Sequence, residues 1–244
     1  DRISYFQTLL DDTNIRAIFF ARGGFGTIKI IDKLKVDNFY KNPKWLICFS
    51  DITTIFSHVN SNIDIPVIHA PMIYNFPTSS KSALSMLFSG LKGELKSIHI
   101  KSHYLNRLGL VESEIIGGNL SILCSLLGSN SFPIVEKKIL FLEDVDEYMY
   151  SIDRMFSSLR RANVFNKLSG LIIGQFTSIS DNKPSYGHSL EQLIYNHIKD
   201  FNFPVCFNFP SGHIKNNLPI FFQKKVKLKI DKKVELDYKD DKYV

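Results

Sequence analysis

Ile15-Arg16-Ala17-Ile18-Phe19-Phe20-Ala21 runs directly into Arg22-Gly23-Gly24-Phe25-Gly26-Thr27. A short apolar run closed by glycines predicts a buried strand over residues 15–21. Ile28, Ile31 and Leu34 then recur at helical spacing and predict a helix after the turn. The same order repeats downstream. Residues 45–49 are a second apolar run, closed by Ser50-Asp51, and Ile52, Ile55, Phe56 and Val59 suit a helix. Residues 66–69 form a third short strand ending at His69. Strands alternating with helices predict a parallel sheet of the Rossmann or flavodoxin type. Such a sheet binds its ligand beyond the carboxyl ends of its strands. Gly23-Gly24, Ser50-Asp51 and His69 all fall at those ends.

Outside this core the pattern changes. Ile3, Phe6, Leu9 and Leu10 predict a helix that Asp11, Asp12, Thr13 and Asn14 break. Residues 78–89 are serine-rich and read as a helix or a linker. From residue 95 onwards short strands are expected around 97–103, then a turn at Gly117-Gly118-Asn119 and a helix over 120–127. A strand over 138–142 ends in Glu143-Asp144. Helices over 152–159 and 190–198 flank a strand over 168–176, and residues 204–236 are strand-rich. The expected organisation is an α/β domain over residues 1–94 and a mixed α/β, strand-rich domain over residues 95–244.

The chain has 244 residues, of which 44% are hydrophobic and 22% charged. That is ordinary globular usage and excludes a disordered, collagen-like or coiled-coil chain. Lys+Arg 30 against Asp+Glu 24 gives a net charge of only +6. The densest basic run, Lys224, Lys225, Lys227, Lys229, Lys232 and Lys233, alternates with Val226, Leu228 and Ile230. It reads as a half-buried strand with a lysine face, not as a nucleic-acid surface. Cys48, Cys124 and Cys206 sit in apolar surroundings without C-x-x-C spacing, which points to a reducing compartment. No run is long enough for a membrane helix. The chain opens at Asp1 and enters a helical pattern at once, as a fragment or a processed product would.

Several residues are placed for chemistry. Ser50 follows a buried strand and precedes a helix, which exposes its hydroxyl beside backbone N–H groups. The G-x-S-x-G elbow is absent, so Ser50 or Asp51 as a simple helix cap is the competing reading. The Gly23-Gly24-Phe25-Gly26 turn offers backbone N–H groups to an oxyanion, or is only a tight turn needing positive φ. It is not G-x-G-x-x-G, and no nucleotide site is expected. His213 lies in a turn after an apolar strand and can serve a serine as base. His69 stands where it can line a site; His58 and His197 read as surface or packing residues, and His99 and His103 lie in the linker region. Glu143 and Asp144 end a buried strand, where a carboxylate needs a partner such as a histidine. Asp146 and Glu147 are close enough that spacing alone leaves the acid open. No H-E-x-x-H or clustered Cys/His spacing suggests a metal.

These pieces resemble one family, the LD-carboxypeptidases, which include cytoplasmic murein tetrapeptide carboxypeptidases and microcin C immunity peptidases. The resemblance rests on an ordered series: Ala21-Arg22-Gly23-Gly24-Phe25-Gly26, Phe49-Ser50-Asp51-Ile52-Thr53, His69-Ala70-Pro71-Met72 and Ile116-Gly117-Gly118-Asn119-Leu120. It continues through Leu140-Phe141-Leu142-Glu143-Asp144-Val145, Ile152-Asp153-Arg154-Met155, Gly170-Leu171-Ile172-Ile173-Gly174-Gln175-Phe176 and Pro210-Ser211-Gly212-His213.

The resemblance implies a serine peptidase without a cofactor, with Ser50 as nucleophile, Glu143 as acid and His213 as base. The backbone N–H of Asp51 and one from Gly23-Gly24 would be the oxyanion donors. Arg22 is a candidate clamp for a substrate carboxylate, or a structural ion-pair partner. The implied substrate is a cytoplasmic muropeptide tetrapeptide losing its terminal D-alanine, and a homodimer would fit the family. An aminoacyl-nucleotide conjugate, or muropeptide binding without catalysis, are the alternatives. A stacking tryptophan would favour the nucleotide, but Trp45 starts a buried strand.

Three positions depart from the family pattern. Cys48 stands where a glycine two before the serine is usual. Phe221-Phe222 follows Leu218-Pro219-Ile220, where a glycine is usual. The family's opening strand and helix would precede Asp1, so the first domain is expected to be truncated at its start.

Overall fold

The computed structural model describes residues 2–63, 65–181 and 183–239. The helix α1 (Arg2–Asp11) leads into β1 (Ala17–Phe19), α2 (Asp37–Lys41), β2 (Trp45–Cys48), α3 (Thr53–Asn62) and β3 (Val67–His69). Then come α4 (Lys81–Leu91), β4 (Ile98–Lys101), β5 (Gly109–Asn119), α5 (Leu120–Ser125), β6 (Ile139–Val145) and α6 (Met149–Arg161). The chain ends through β7 (Gly170–Thr177), α7 (Leu190–Ile198), β8 (Val205–Cys206), β9 (Ile220–Phe222), β10 (Lys225–Ile230) and β11 (Lys233–Tyr238).

Two sheets result. The first has the order β1-β2-β3-β9, with β1, β2 and β3 parallel and β9 antiparallel to β3. The second has the order β4-β11-β10-β5-β6-β7-β8. In it β5 to β8 run parallel, and the β4-β11-β10 edge is antiparallel. This is the α/β fold with parallel strands and a strand-rich second part that the alternation implied. The sheets do not divide at residue 95, because β9 leaves the second half and completes the first sheet.

Two local expectations need correction. Residues 28–34 do not form a helix; they form two 3-10 turns, Thr27–Lys29 and Ile31–Lys33. Three apolar residues at helical spacing are too few to carry a helix whose nucleus is costly. Gly117-Gly118-Asn119 is not a turn but the end of β5. The glycines serve close approach instead. A β-carbon on Gly117 would stand 2.0 Å from the Phe141 carbonyl oxygen, and one on Gly118 would stand 2.6 Å from Thr53 Oγ1.

The packing explains how the halves meet. On β6, Ile139 and Phe141 face a core shared with Leu46, Cys48 and Phe56 of the first half and with Phe222 of β9. Leu140 and Leu142 face the opposite core, with Leu120, Ile152, Phe156 and Ile194 from the helices. Successive strand residues point to opposite faces. Glu143 therefore shares the face of Phe141, toward the first sheet, and Asp144 faces α5. Of the lysine run, Lys225, Lys227 and Lys229 lie on β10, exposed or half-buried between the buried Val226, Leu228 and Ile230, whereas Lys224 is buried just before the strand and Lys233 opens β11. Cys48 is fully buried, and burial pushes its thiol well above the ordinary range.

The Phe221-Phe222 departure is accommodated by neighbours. The Phe221 ring stands edge-on to Trp45 at 5.8 Å and to Tyr238 at 5.6 Å, and Phe222 stands edge-on to Phe56 at 5.6 Å. Gly90 of α4 makes room, since a β-carbon there would lie 2.2 Å from Phe221 Cζ.

Candidate active site

Ser50 begins a 3-10 turn (Ser50–Ile52) between β2 and α3, with φ +62. A serine in the left-handed region costs on the order of 1–3 kcal/mol and persists only where its surroundings impose it. Here they do. The Cys48 carbonyl accepts from Ala70 N–H at 3.1 Å, and Ile47 accepts from Phe20 N–H at 3.1 Å, so the strand end cannot shift. This backbone is the sharp strand-to-helix turn that presents a hydroxyl. The glycine turn after β1 lies against it. A β-carbon on Gly23 would stand 2.9 Å from Ser50 Cβ and 3.0 Å from its Oγ. Only glycine permits that approach.

The two loops are tied by Asp51. Its buried carboxylate accepts from Thr27 Oγ1 at 2.6 Å and Thr27 N–H at 3.2 Å. The side chain of Asp51 thus fastens the Gly23-Gly24 turn to the serine loop, a role the sequence did not suggest. Thr53 does the same toward the second sheet, accepting from Asn119 N–H at 3.1 Å.

From the second half, His213 Nδ1 bonds Glu143 Oε2 at 2.7 Å. Glu143 is fully buried and the His213 side chain is 19% exposed. Burial alone would depress the imidazole. The hydrogen bond and charge of Glu143, with Asp144 and Asp146 behind it, overcome that and hold His213 above its ordinary value. The sequence left the acid open among four residues, and strand geometry separates two of them. Asp144 accepts from Asn119 Nδ2 at 2.9 Å, Ser121 N–H at 3.0 Å and Val145 N–H at 2.9 Å, which anchors the start of α5. Burial, and then the charge of Glu143, push its carboxyl up to about 7. Burial likewise raises Glu147.

Phe49 joins the halves: its ring lies 4.7 Å from that of His213. Beside them is a pocket of about 380 Å³. Phe49, Pro71, Asn75, Thr78 and Ser79 line it from the first half, and His213, Ile214, Lys215 and Asn217 from the second.

His69, expected to line the site, has no exposed surface. Its ring packs against Phe49 at 5.5 Å and Phe141 at 5.0 Å, behind the pocket. Burial lowers its pKa to about 4, against the opposing charge of Glu143. The Asn217 carboxamide lies near enough to favour the protonated ring, yet short of hydrogen-bond geometry. Among the described residues, both His69 nitrogens, Asn217 Nδ2 and Glu143 Oε1 are buried without a bond. Arg22 is exposed, one residue before the turn. His58 bonds Ser131 at 2.8 Å and His197 bonds Asp153 at 2.5 Å, so both serve packing elements. Asn217 was not anticipated: its Oδ1 accepts from Gly212 N–H at 2.9 Å and Ser211 Oγ at 3.1 Å, shaping the turn that carries His213. Among the described residues no three His, Cys, Asp or Glu side chains gather as a metal would require.

The first sheet carries Ser50 at a strand-to-helix turn, and the second sheet carries Glu143, whose carboxylate holds His213 beside the pocket, so the two parts each bring polar groups of the kind a hydrolase uses. The chain belongs to the LD-carboxypeptidase family: the family's N-terminal domain model matches residues 1–70 and its C-terminal domain model residues 112–228. It is 28% identical over 230 residues to the probable murein peptide carboxypeptidase of Bacillus subtilis, covering 90% of this chain and 70% of that protein. It is 28% identical over 231 residues to the murein tetrapeptide carboxypeptidase of Pseudomonas aeruginosa, covering 88% of this chain and 73% of that one. The crystal structure of muramoyltetrapeptide carboxypeptidase from Oxalobacter formigenes superposes with a TM-score of 0.89 over 98% of this chain and 82% of that chain. At 22% identity that likeness concerns the fold.

Proposed function

We propose that this chain is a serine-type carboxypeptidase that hydrolyses the L,D-amide bond holding the terminal D-alanine of a murein tetrapeptide, in cytoplasmic cell-wall recycling. The observation that carries this reading is the 2.7 Å bond from His213 Nδ1 to the buried Glu143, beside the pocket between the halves. With Nδ1–H donated to Glu143, Nε2 is the nitrogen left to act as base. His213 takes the proton of Ser50 Oγ as the oxygen attacks the scissile carbonyl carbon. Glu143 holds the tautomer and stabilises the imidazolium. The backbone N–H of Asp51 and one from Gly23-Gly24 stabilise the oxyanion, commonly the largest single contribution to rate. As the C–N bond breaks, His213 gives its proton to the amine of D-alanine. Water then attacks the acyl-enzyme, and the proton it loses returns through His213 to Ser50. Arg22, exposed beside the turn, serves to hold a substrate carboxylate.

The relatives named for murein peptides support the substrate class. The test is D-alanine release from a murein tetrapeptide. The native chain should release it, and Ser50→Ala should abolish release while leaving peptide affinity largely intact. Unchanged release in Ser50→Ala would remove Ser50 from the mechanism. Binding without release by the native chain would favour a muropeptide-binding role.

A further inference from the structure

None of the nine residues lining the pocket beside His213 is an aspartate or glutamate. The one permanent charge among them is Lys215, two residues beyond His213. Lys215 is exposed, and among the described residues its ammonium has no hydrogen-bond or ion-pair partner. Its backbone, by contrast, is fastened. The Lys215 carbonyl accepts from Ser80 N–H at 2.8 Å. Asn216 Oδ1 accepts from the hydroxyls of Ser80 and Ser82 at 2.6 and 2.8 Å. A held loop thus carries an unpaired cation along an acid-free pocket, which suits an anion.

The place of Lys215 relative to His213 indicates which anion. This step rests on the mechanism proposed above, in which His213 protonates the leaving amine. The leaving nitrogen then lies at His213, and in a C-terminal residue the carboxylate is borne by the carbon next to that nitrogen. We propose that Lys215 binds the terminal carboxylate of the peptide and so imposes the requirement for a free C-terminus. Arg22, on the Gly23-Gly24 side of Ser50, is then left to another carboxylate of the substrate.

The experiment compares binding of a murein tetrapeptide and of its C-terminal amide by calorimetry. It uses the Ser50→Ala chain alone and with Lys215→Met or Arg22→Met added. Methionine keeps the apolar stem and removes the charge. The acid should bind about 10- to 100-fold more tightly than the amide. Lys215→Met should erase that ratio by weakening the acid alone, and Arg22→Met should preserve it. Equal binding of acid and amide before the lysine is changed overturns the proposal. So does a ratio that survives Lys215→Met, or one erased by Arg22→Met alone. The catalytic reading fails separately, if a native chain that prefers the acid releases no D-alanine.

Discussion

Replacing Glu143 with glutamine keeps the size of the side chain and removes its charge. The structure sets the sign of the result. Burial is the largest influence on His213 and pushes its pKa down; the bond to Glu143 and its charge reverse that and hold it above 6.5. Without that charge only Asp144 and Asp146 are left to oppose burial, and the pKa should fall. His213 acts as base only when neutral. The acid limb of kcat/KM should therefore lie above pH 6.5 in the native chain and move to lower pH in Glu143→Gln. The rate on the plateau should fall by ~10⁴, about 5.5 kcal/mol of transition-state stabilisation, because the imidazolium loses its counter-charge and the tautomer its restraint. The assay is D-alanine release from a tetrapeptide across the range where histidine titrates. A limb that stays put or moves up refutes the coupling of Glu143 to His213. A loss below about tenfold refutes the assigned role. If Glu147→Gln produces these changes instead, the acid lies one turn of chain away.

Two further predictions concern the scaffold. Asp51→Ala strips the acceptor from both Thr27 donors and should destabilise the chain by about 2–3 kcal/mol. In a denaturant-melt double-mutant cycle its effect should be non-additive with Thr27→Val, and full additivity would deny the clamp. Gly90→Ala drives a β-carbon toward Phe221, whose ring is confined by Trp45 and Tyr238. It should cost about 1–3 kcal/mol from overpacking, less up to about 1 kcal/mol regained from helix propensity. The urea midpoint reads the loss, and Phe221→Leu should restore most of it; a midpoint that does not fall would mean the ring yields freely.

Most of the order of strands and helices was legible because most elements carry their own period, though α2 and β5 were missed. The apolar runs that became β1, β2 and β3, the face that became α7 and the alternating lysines of β10 are all local patterns. The ordered motifs also brought Ser50, Glu143 and His213 forward as candidates. Local pattern failed where a residue answers to a distant neighbour. Gly117 and Gly118 look like a turn until the Phe141 carbonyl and Thr53 are seen against them. His69 ends a strand like the other site candidates, yet Phe49 and Phe141 close over it. Glu143 and Asp144 are adjacent in sequence, and only the packing of β6 between two cores sends one to His213 and the other to α5. The return of β9 to the first sheet, the tie from Asp51 to Thr27 and the unpaired charge of Lys215 share that origin. Periodicity is written within each segment, but close approach, burial and charge pairing arise between segments, and only the folded chain brings those together.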